Sequence, residues 1–316
     1  MKAVVLTDPG GVENLAIQEV EKPIPKGDEV LVQVHSFGIN PVDIKTRKGG
    51  ALLATLKAQP PVILGWDISG VVVAVGSDVS RFKEGDAVFG MVNFPGAGKA
   101  YAEYVTAPAA HLALKPSNIT HAEAAATTLA ALTAWQVLLY EAQLKKGQHL
   151  LMHAAAGGVG HFAVQLAKHW GAQVTGTASA QNADFLKGLG AGHTIDYTTQ
   201  KFYEQVRDVD AVFDPIGGET TAQSLQVLKP GGVLVSIVGG VKDPLKPLAE
   251  ERRVEAKNYM VHSSGSDMEQ LAALLQDGTL KPYISHRFPL EEIAKAHQQI
   301  ETGKTRGKVV VNLVAD

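Results

Sequence analysis

Short β-branched runs dominate roughly the first 115 residues, and periodicity of the helical kind is scarce there. "KAVVLT", "EVLVQVHSFG", "GVVVAVG" and "DAVFGMV" are each bounded by Gly, Pro or Asp, which predicts strands. The texture changes near Pro116. "THAEAAATTLAALTAWQVLLYEAQL" is rich in Ala and Leu, and Thr120 with Glu123 forms a capping-box start, so a helix is expected from Thr120 onward.

A strand–helix rhythm follows. "QHLLMHA" predicts a strand and "GGVGHFAVQLAKHWG" a helix closed by Gly171. "AQVTGTAS" is a strand, "AQNADFLKGLG" a helix closed by Gly190, "HTIDY" a strand and "KFYEQVRD" a helix. "DAVFDPIGG" and "VLVSIVG" complete the series. Continuous apolar strands alternating with helices predict an α/β fold with a doubly wound parallel sheet. Beyond about residue 267 come two helices, "DMEQLAALLQDG" and "LEEIAKAHQQIETG", and a last strand, "KVVVNLV", that can pair back into the first region. The expected organisation is therefore a β-rich domain of residues 1–120 and 267–316 around a parallel-sheet domain of residues 121–266.

Composition narrows the class. With 316 residues, 45 % apolar and 19 % charged, the chain has the make-up of a globular protein of two domains. A formal net charge of -3 with no basic run argues against nucleic acid as a partner. The absence of an uncharged apolar stretch long enough to span a bilayer, and of a signal-peptide core near "MKAVVLTDPGG", gives the expectation of no membrane association and a cytoplasmic location. There is no cysteine, which removes disulfides, thiolate nucleophiles and cysteine zinc sites together.

"HAAAGGVGHFAVQLAK" places Ala155, Gly157 and Gly160 at the spacing of a G-x-G-x-x-G turn, with Ala in the first place. It follows a strand and opens a helix, the context in which backbone N–H groups approach a dinucleotide pyrophosphate. The alternative is a packing turn without ligand. About 20 residues on, where an acid would hold ribose hydroxyls, stands "VTGTASAQN". The missing carboxylate favours NADP(H), with Ser179 and Tyr197 as donors to a 2′-phosphate. Ser179 taken alone is more often just the N-cap of the next helix.

"GINPVDIKTRKG", "GWDISGVVVAVG", "FKEGDAVFG", "AYAEYV", "LTAW", "LGAGHTIDY", "LKPGGVLVSIVG" and "RGKVVV", with the glycine turn, make the chain similar to the medium-chain dehydrogenase/reductase superfamily over almost its whole length. Within it, the chain looks most like the zinc-independent quinone oxidoreductase (zeta-crystallin-like) and enone reductase branch. The resemblance implies a GroES-like catalytic domain beside a Rossmann domain, and a homodimer.

Zinc-dependent relatives carry Cys, His and Glu where this chain has Asn40, Trp66 and Asp67. Trp cannot bind zinc and an amide is a poor ligand, so no metal is expected. Without one, the chemistry that fits is NADPH-dependent hydride transfer to a quinone or an α,β-unsaturated carbonyl, acceptors that need mainly orientation and hydrogen bonds. The other class of role is a structural or redox-sensing NADPH-binding protein with little turnover.

By the resemblance, Asn40 faces the nicotinamide side and donates to a substrate carbonyl, or else fixes the loop before Pro41. Lys45, Trp66 and Asp67 line the substrate pocket, with Asp67 held by Arg or backbone donors. Lys45 stands where some relatives have a tyrosine proton donor, and it is otherwise a solvated lysine. Thr133 meets the nicotinamide or bonds back within its own helix. Ala156, Gly157, Gly158, Val159 and Gly160 line the pyrophosphate, Val238 and Gly239 the nicotinamide side. Lys304 and Arg306 flank the source of a basic contact to the 2′-phosphate. The stretch "YTTQK" also fits the Y-x-x-x-K pattern of short-chain dehydrogenases, but its Tyr197 falls at a strand end and not on a helix face.

Overall fold

The structure is a computed structural model that describes residues 1–50 and 52–314. The chain divides into two compact units, Met1–Leu132 with His262–Asp316, and Thr133–Val261. The texture of the sequence puts the first change of unit at the start of the Ala-rich helix; the structure puts it inside that helix.

The first unit opens with β1 (Lys2–Leu6) and β2 (Leu15–Glu19), an antiparallel pair. Then come β3 (Glu29–Ile39), the short helices α1 (Pro41–Arg47) and α2 (Leu53–Lys57), β4 (Asp67–Val75), β5 (Ala87–Met91), β6 (Tyr104–Pro108), β7 (Leu112–Leu114) and α3 (His121–Gln136). The two small helices lie in a stretch whose apolar runs predict strands alone. Their length, seven and five residues, is too short to show a 3.6-residue period. Thr120 and Glu123 make the expected box: Thr120 N–H donates to Glu123 Oε2 at 2.9 Å, and Glu123 N–H to Thr120 Oγ1 at 3.2 Å. Helix α3 runs on into a π-helical turn, Val137–Glu141. By length and composition His121–Glu141 is apolar enough to cross a membrane, but 83 % of its apolar window is buried inside the protein, as a core helix is.

The second unit alternates β8 (His149–Met152), α4 (Gly160–His169), β9 (Gln173–Ala178), α5 (Ala183–Leu189), β10 (His193–Asp196), α6 (Phe202–Gln205), β11 (Val209–Asp214), α7 (Glu219–Leu225), β12 (Leu228–Ser236), α8 (Lys246–Arg252) and β13 (Glu255–Asn258). All six strands are parallel, in the order β10-β9-β8-β11-β12-β13. This is the doubly wound order 3-2-1-4-5-6, whose direction reverses between β8 and β11, where such sheets take their ligands. Buried Leu151, Ile195, Val209, Val212, Leu225 and Leu234 form the core of one face. Gly190 closes α5 at φ +108°, as expected of a left-handed cap. The apolar pattern marks neither α8 nor β13; β13 is an edge strand of sequence EAKN with no apolar run.

The chain then returns to the first unit as α9 (Gly265–Gln276), β14 (Ile284–Pro289), α10 (Ile293–Glu301) and β15 (Lys308–Asn312). The larger sheet there has the order β14-β15-β3-β4-β5-β7, with β6 on the far end of β3. Register decides what meets what. Ile39 pairs with Val309 and Phe37 with both Val311 and Ile68. The end of β3 and the starts of β4 and β15 therefore converge, bringing Asn40, Asp67 and Lys308 together.

Thr120→Ala removes the hydroxyl that starts α3. It is expected to lower the unfolding free energy by about 1 kcal/mol, read as a lower denaturant midpoint at unchanged slope. An unshifted midpoint would show the cap to be idle.

Candidate functional site

The turn after β8 is held from both sides. His153 N–H donates to Phe213 O on β11 at 3.1 Å, and Ala155 N–H to Thr177 O on β9 at 2.9 Å. The buried His153 ring bridges Thr177 Oγ1 at 3.1 Å and Ser224 Oγ at 2.9 Å. Burial pushes its pKa down to about 4, with Asp214 opposing, so the imidazole works as a neutral brace. Ala154 takes a left-handed φ of +48° and Gly157 N–H closes onto its carbonyl at 2.9 Å. A Cβ on Gly160 would stand 2.4 Å from Ala154 O and 2.6 Å from Ala155 O, so no larger residue fits. Ala155, in the first motif place, is accommodated because Gly176 lies opposite: a Cβ there would come within 2.8 Å of the Ala155 methyl. Ala156 is buried; Gly157, Gly158 and Val159 are partly exposed ahead of α4. At the start of that ten-residue helix His161 N–H is already taken by Gly157 O at 3.1 Å and Ala163 N–H by Val159 O at 3.0 Å, so the amides left for a pyrophosphate are those of Gly158 to Gly160.

Ser179 and Tyr197 come to adjacent strand ends. Tyr197 N–H donates to Ala178 O at 3.2 Å, and the Tyr197 side chain is 62 % exposed. Ser179 Oγ accepts from Asn182 Nδ2 at 3.1 Å rather than capping through the backbone. No acid ends β9, as the sequence shows. Yet Asp196, at the end of β10, pairs in register with Ala178. Its carboxylate accepts from Thr198 Oγ1 at 2.8 Å, Thr198 N–H at 3.0 Å and Thr199 Oγ1 at 3.1 Å. The Thr198 hydroxyl leads the contacts that hold it below the usual carboxylate range. Nothing along β9 signals this acid, because strand pairing alone brings it beside Ala178. Lys201 pairs with Glu204 on the surface, so "YTTQK" is not a catalytic pair on one helix face.

The loops after β11 and β12 are set by two buried side chains. Asp214 Oδ1 accepts from the amides of Ile216 at 2.8 Å and Gly217 at 2.9 Å, and Oδ2 from Thr221 Oγ1. Ser236 Oγ accepts from Gly240 N–H at 3.0 Å. Val238 and Gly239 ride on this frame, exposed. Thr133 is buried within the helix that β8 follows.

In the first unit, Asp67 has no exposed surface and is fully engaged. Its Oδ1 accepts from Thr128 Oγ1 and from Leu129 N–H at 2.8 Å; its Oδ2 accepts from Asn40 Nδ2 at 2.7 Å and from Lys308 Nζ at 3.4 Å. Lys308 is 2 % exposed and donates also to Ile39 O at 3.2 Å and to Asn40 Oδ1. The partners expected for Asp67 were Arg or backbone. The backbone donor, Leu129 N–H, is there, but the cation is Lys308, 241 positions along the chain. Its signal was a charged residue opening an apolar strand that must be buried. Trp66 is likewise wholly buried, its Nε1–H on Gly96 O at 2.7 Å and its ring edge against Phe94. It is a core residue rather than the pocket wall expected of it.

Behind Asn40 lies a second buried set. Asp43 Oδ2 accepts from Asn40 N–H at 2.7 Å and Tyr101 O–H at 2.9 Å, while Oδ1 has no partner. The Tyr101 oxygen is 3.1 Å from His297 Nε2. Arg47 reaches His297 Nδ1 at 3.5 Å and pairs with Glu301, which Lys48 also meets at 2.8 Å. Burial pushes Asp43 up to about 7 and His297 down to about 3. Lys45 and Lys304 are exposed, and Arg306 lies over the Tyr283 ring, 6.0 Å from its centre.

A zinc ion does not fit this arrangement. At the three positions where zinc relatives hold ligands stand an amide, a buried indole already bonded to a carbonyl, and a carboxylate that already carries an ammonium. Among the described residues no group of three His, Cys, Asp or Glu is placed to hold a metal.

Residues 26–117 match the family described as alcohol dehydrogenase GroES-like domain, and residues 189–311 the family described as zinc-binding dehydrogenase. The chain is 37 % identical to the 2-methylene-furan-3-one reductase of Solanum lycopersicum, over 99 % of this chain and 79 % of that protein. It is 36 % identical to the chloroplastic NADPH-dependent alkenal/one oxidoreductase of Arabidopsis thaliana, over 98 % of this chain and 79 % of that protein. The solved quinone oxidoreductase of Coxiella burnetii superposes with a TM-score of 0.93 at 37 % identity, covering 99 % of both chains.

The buried titrating groups give a test. An aspartate ionises near 3.9 in an unfolded chain, so with Asp43 at about 7 the folded state holds an extra proton between those values. Stability from Asp43 is therefore full at low pH and lost as pH rises through about 7. His297 and His153 act the other way: their folded values lie below the unfolded one, near 6.5, and their contribution is lost as pH falls below it. In Asp43→Asn the falling component is removed. Its melting temperature should rise more steeply between pH 5 and 7.5 than the wild type's; parallel curves would refute the assignment.

Proposed function

Because the chain belongs to the medium-chain dehydrogenase/reductase family, we propose that it is an NADPH-dependent reductase of quinones or α,β-unsaturated carbonyls, working without a metal. The observation that carries this reading is the donor set at Asn40, Trp66 and Asp67. It offers no Lewis acid to polarise an ordinary ketone or stabilise an alkoxide. It does offer an amide donor, which is enough for an acceptor whose negative charge is delocalised after hydride arrives.

Bound NADPH supplies the hydride. The turn from Ala156 to Gly160 carries the pyrophosphate on backbone amides, and Gly160 lets the helix start pack close against the strand end, where a Cβ would meet Ala154 O and Ala155 O. Ser179 and Tyr197 serve the 2′-phosphate, and Val238 and Gly239 the nicotinamide side. Asn40 donates to the acceptor's carbonyl oxygen and orients it. Lys45, exposed on α1, or solvent returns the proton. A cytoplasmic homodimer completes the proposal.

Steady-state oxidation of NADPH with 1,4-benzoquinone and with an alkyl enone tests it. Turnover on at least one, with no bound zinc by elemental analysis and no loss to chelator, is the expected outcome. Cofactor binding without turnover on both classes would overturn it. NADPH should bind more tightly than NADH. Asp196→Asn should widen that gap several-fold at low salt, by removing a carboxylate of like charge to the 2′-phosphate at the strand end beside Ala178. An unchanged ratio of dissociation constants would place Asp196 away from the phosphate.

A further inference from the structure

The side-chain amide of Asn40 sits between two groups of fixed polarity. Lys308 Nζ can only donate, and the Asp67 carboxylate can only accept. Turning the amide over would set its NH2 against the ammonium and its carbonyl oxygen against the carboxylate. So the orientation is dictated: Oδ1 to Lys308, Nδ2 to Asp67 Oδ2 at 2.7 Å. The amide has two N–H donors, and Asp67 takes one. The second has no partner among the described residues, although Asn40 is only 2 % exposed. A buried donor left unmade is costly, and such groups in a folded protein call for an explanation. A ligand oxygen supplies one.

We propose that Lys308 is a positioning residue, whose buried ammonium fixes Asn40 with its free N–H presented to the substrate's carbonyl oxygen. This rests on the reading of the protein as a quinone or enone reductase. The ammonium does two things that a neutral side chain of the same length cannot. It captures Oδ1, which leaves only the donor edge of the amide for an acceptor. It also withdraws electron density through the carbonyl, so the N–H groups become stronger donors as charge develops on the acceptor oxygen. Lys308 itself does not reach the substrate, since its three contacts, Ile39 O, Asn40 Oδ1 and Asp67 Oδ2, are all within the protein. Its placement follows from register: β15 pairs with the end of β3, and Lys308 is the residue beside Asn40 when Val309 pairs with Ile39.

A bland alternative exists, that Lys308 only neutralises Asp67. The two differ in what a paired change does. Lys308→Met alone strands a buried carboxylate and is expected to destabilise the protein. Combining it with Asp67→Asn removes both charges and recovers part of the lost melting temperature, since the new amide must still turn its NH2 toward one of the donors that Asp67 accepted. If Lys308 only neutralises, kcat returns as well. If it positions Asn40, kcat in the double variant stays at least tenfold below wild type while the KM for NADPH is unchanged. Adding Asn40→Ala then costs little more, since the orientation is already lost. Recovery of wild-type kcat in the double variant would overturn the proposal.

A second measurement needs no turnover and no stable variant beyond one used for assignment. In side-chain amide NMR spectra of the wild-type protein, with Asn40→Ser identifying the signals, a non-reducible carbonyl analogue of the acceptor should shift one Asn40 NH2 proton downfield and leave the proton bonded to Asp67 in place. Equal movement of both protons, or movement of neither, would overturn the proposal. A wild-type enzyme with no turnover whose Asn40 amide still responds in this way would instead count against the reductase reading alone.

Discussion

The ion pair between Lys308 and Asp67 is the constraint around which the first unit is built. Two charges are buried at 3.4 Å, and the desolvation they suffer is offset only because every remaining lone pair and proton is used. Asp67 takes four donors from three separate elements: Asn40 at the end of β3, Thr128 and Leu129 within α3, and Lys308 at the start of β15. A strand end, a helix and a second strand end are thereby fixed to one carboxylate. Moving any of them leaves a charge or a donor unpaired in the core, which is why the geometry around Asn40 is rigid.

That rigidity answers a question the chain poses early. An acid beside a tryptophan between two glycines, as in "LGWDISG", invites a metal. The structure gives Asp67 an internal cation instead and turns Trp66 inward onto Gly96 O. The second layer, from Asp43 through Tyr101 and His297 to Arg47 and Glu301, extends the same logic outward. Each member is held by the next, from the wholly buried Asp43 to the partly exposed Glu301.

Much of the fold was legible because it is written in local patterns. The apolar strands of the second unit, the glycine turn and the Thr120–Glu123 box each announce themselves within about ten residues. Short or polar elements were not: α1, α2 and β13 lack the length or the apolar period to be seen. In the candidate site, legibility failed for a different reason. Asp67 and Asn40 were singled out from "GWD" and "GINPVD", but their partner stands 241 positions beyond Asp67. Nothing near "RGKVVV" says that its lysine turns toward Asn40; that follows from antiparallel register across the sheet. Asp196 was missed likewise, since it neighbours Ala178 only through strand pairing. Local chemistry is readable in one dimension, and pairing between distant segments is not.

The wide separation of Asp67 and Lys308 also bears on how the chain acquires its structure. The first unit is made of two stretches, and the second, from Thr133 to Val261, is synthesised whole between them. As the polypeptide leaves the ribosome, β3 and β4 emerge early with Asp67 still uncompensated, and they wait for β15. The inserted parallel-sheet unit has all its strands by then and is free to close first. Among the partners of Asp67, Lys308 is the one made last, and the charge pair is complete only once β15 lies beside β3.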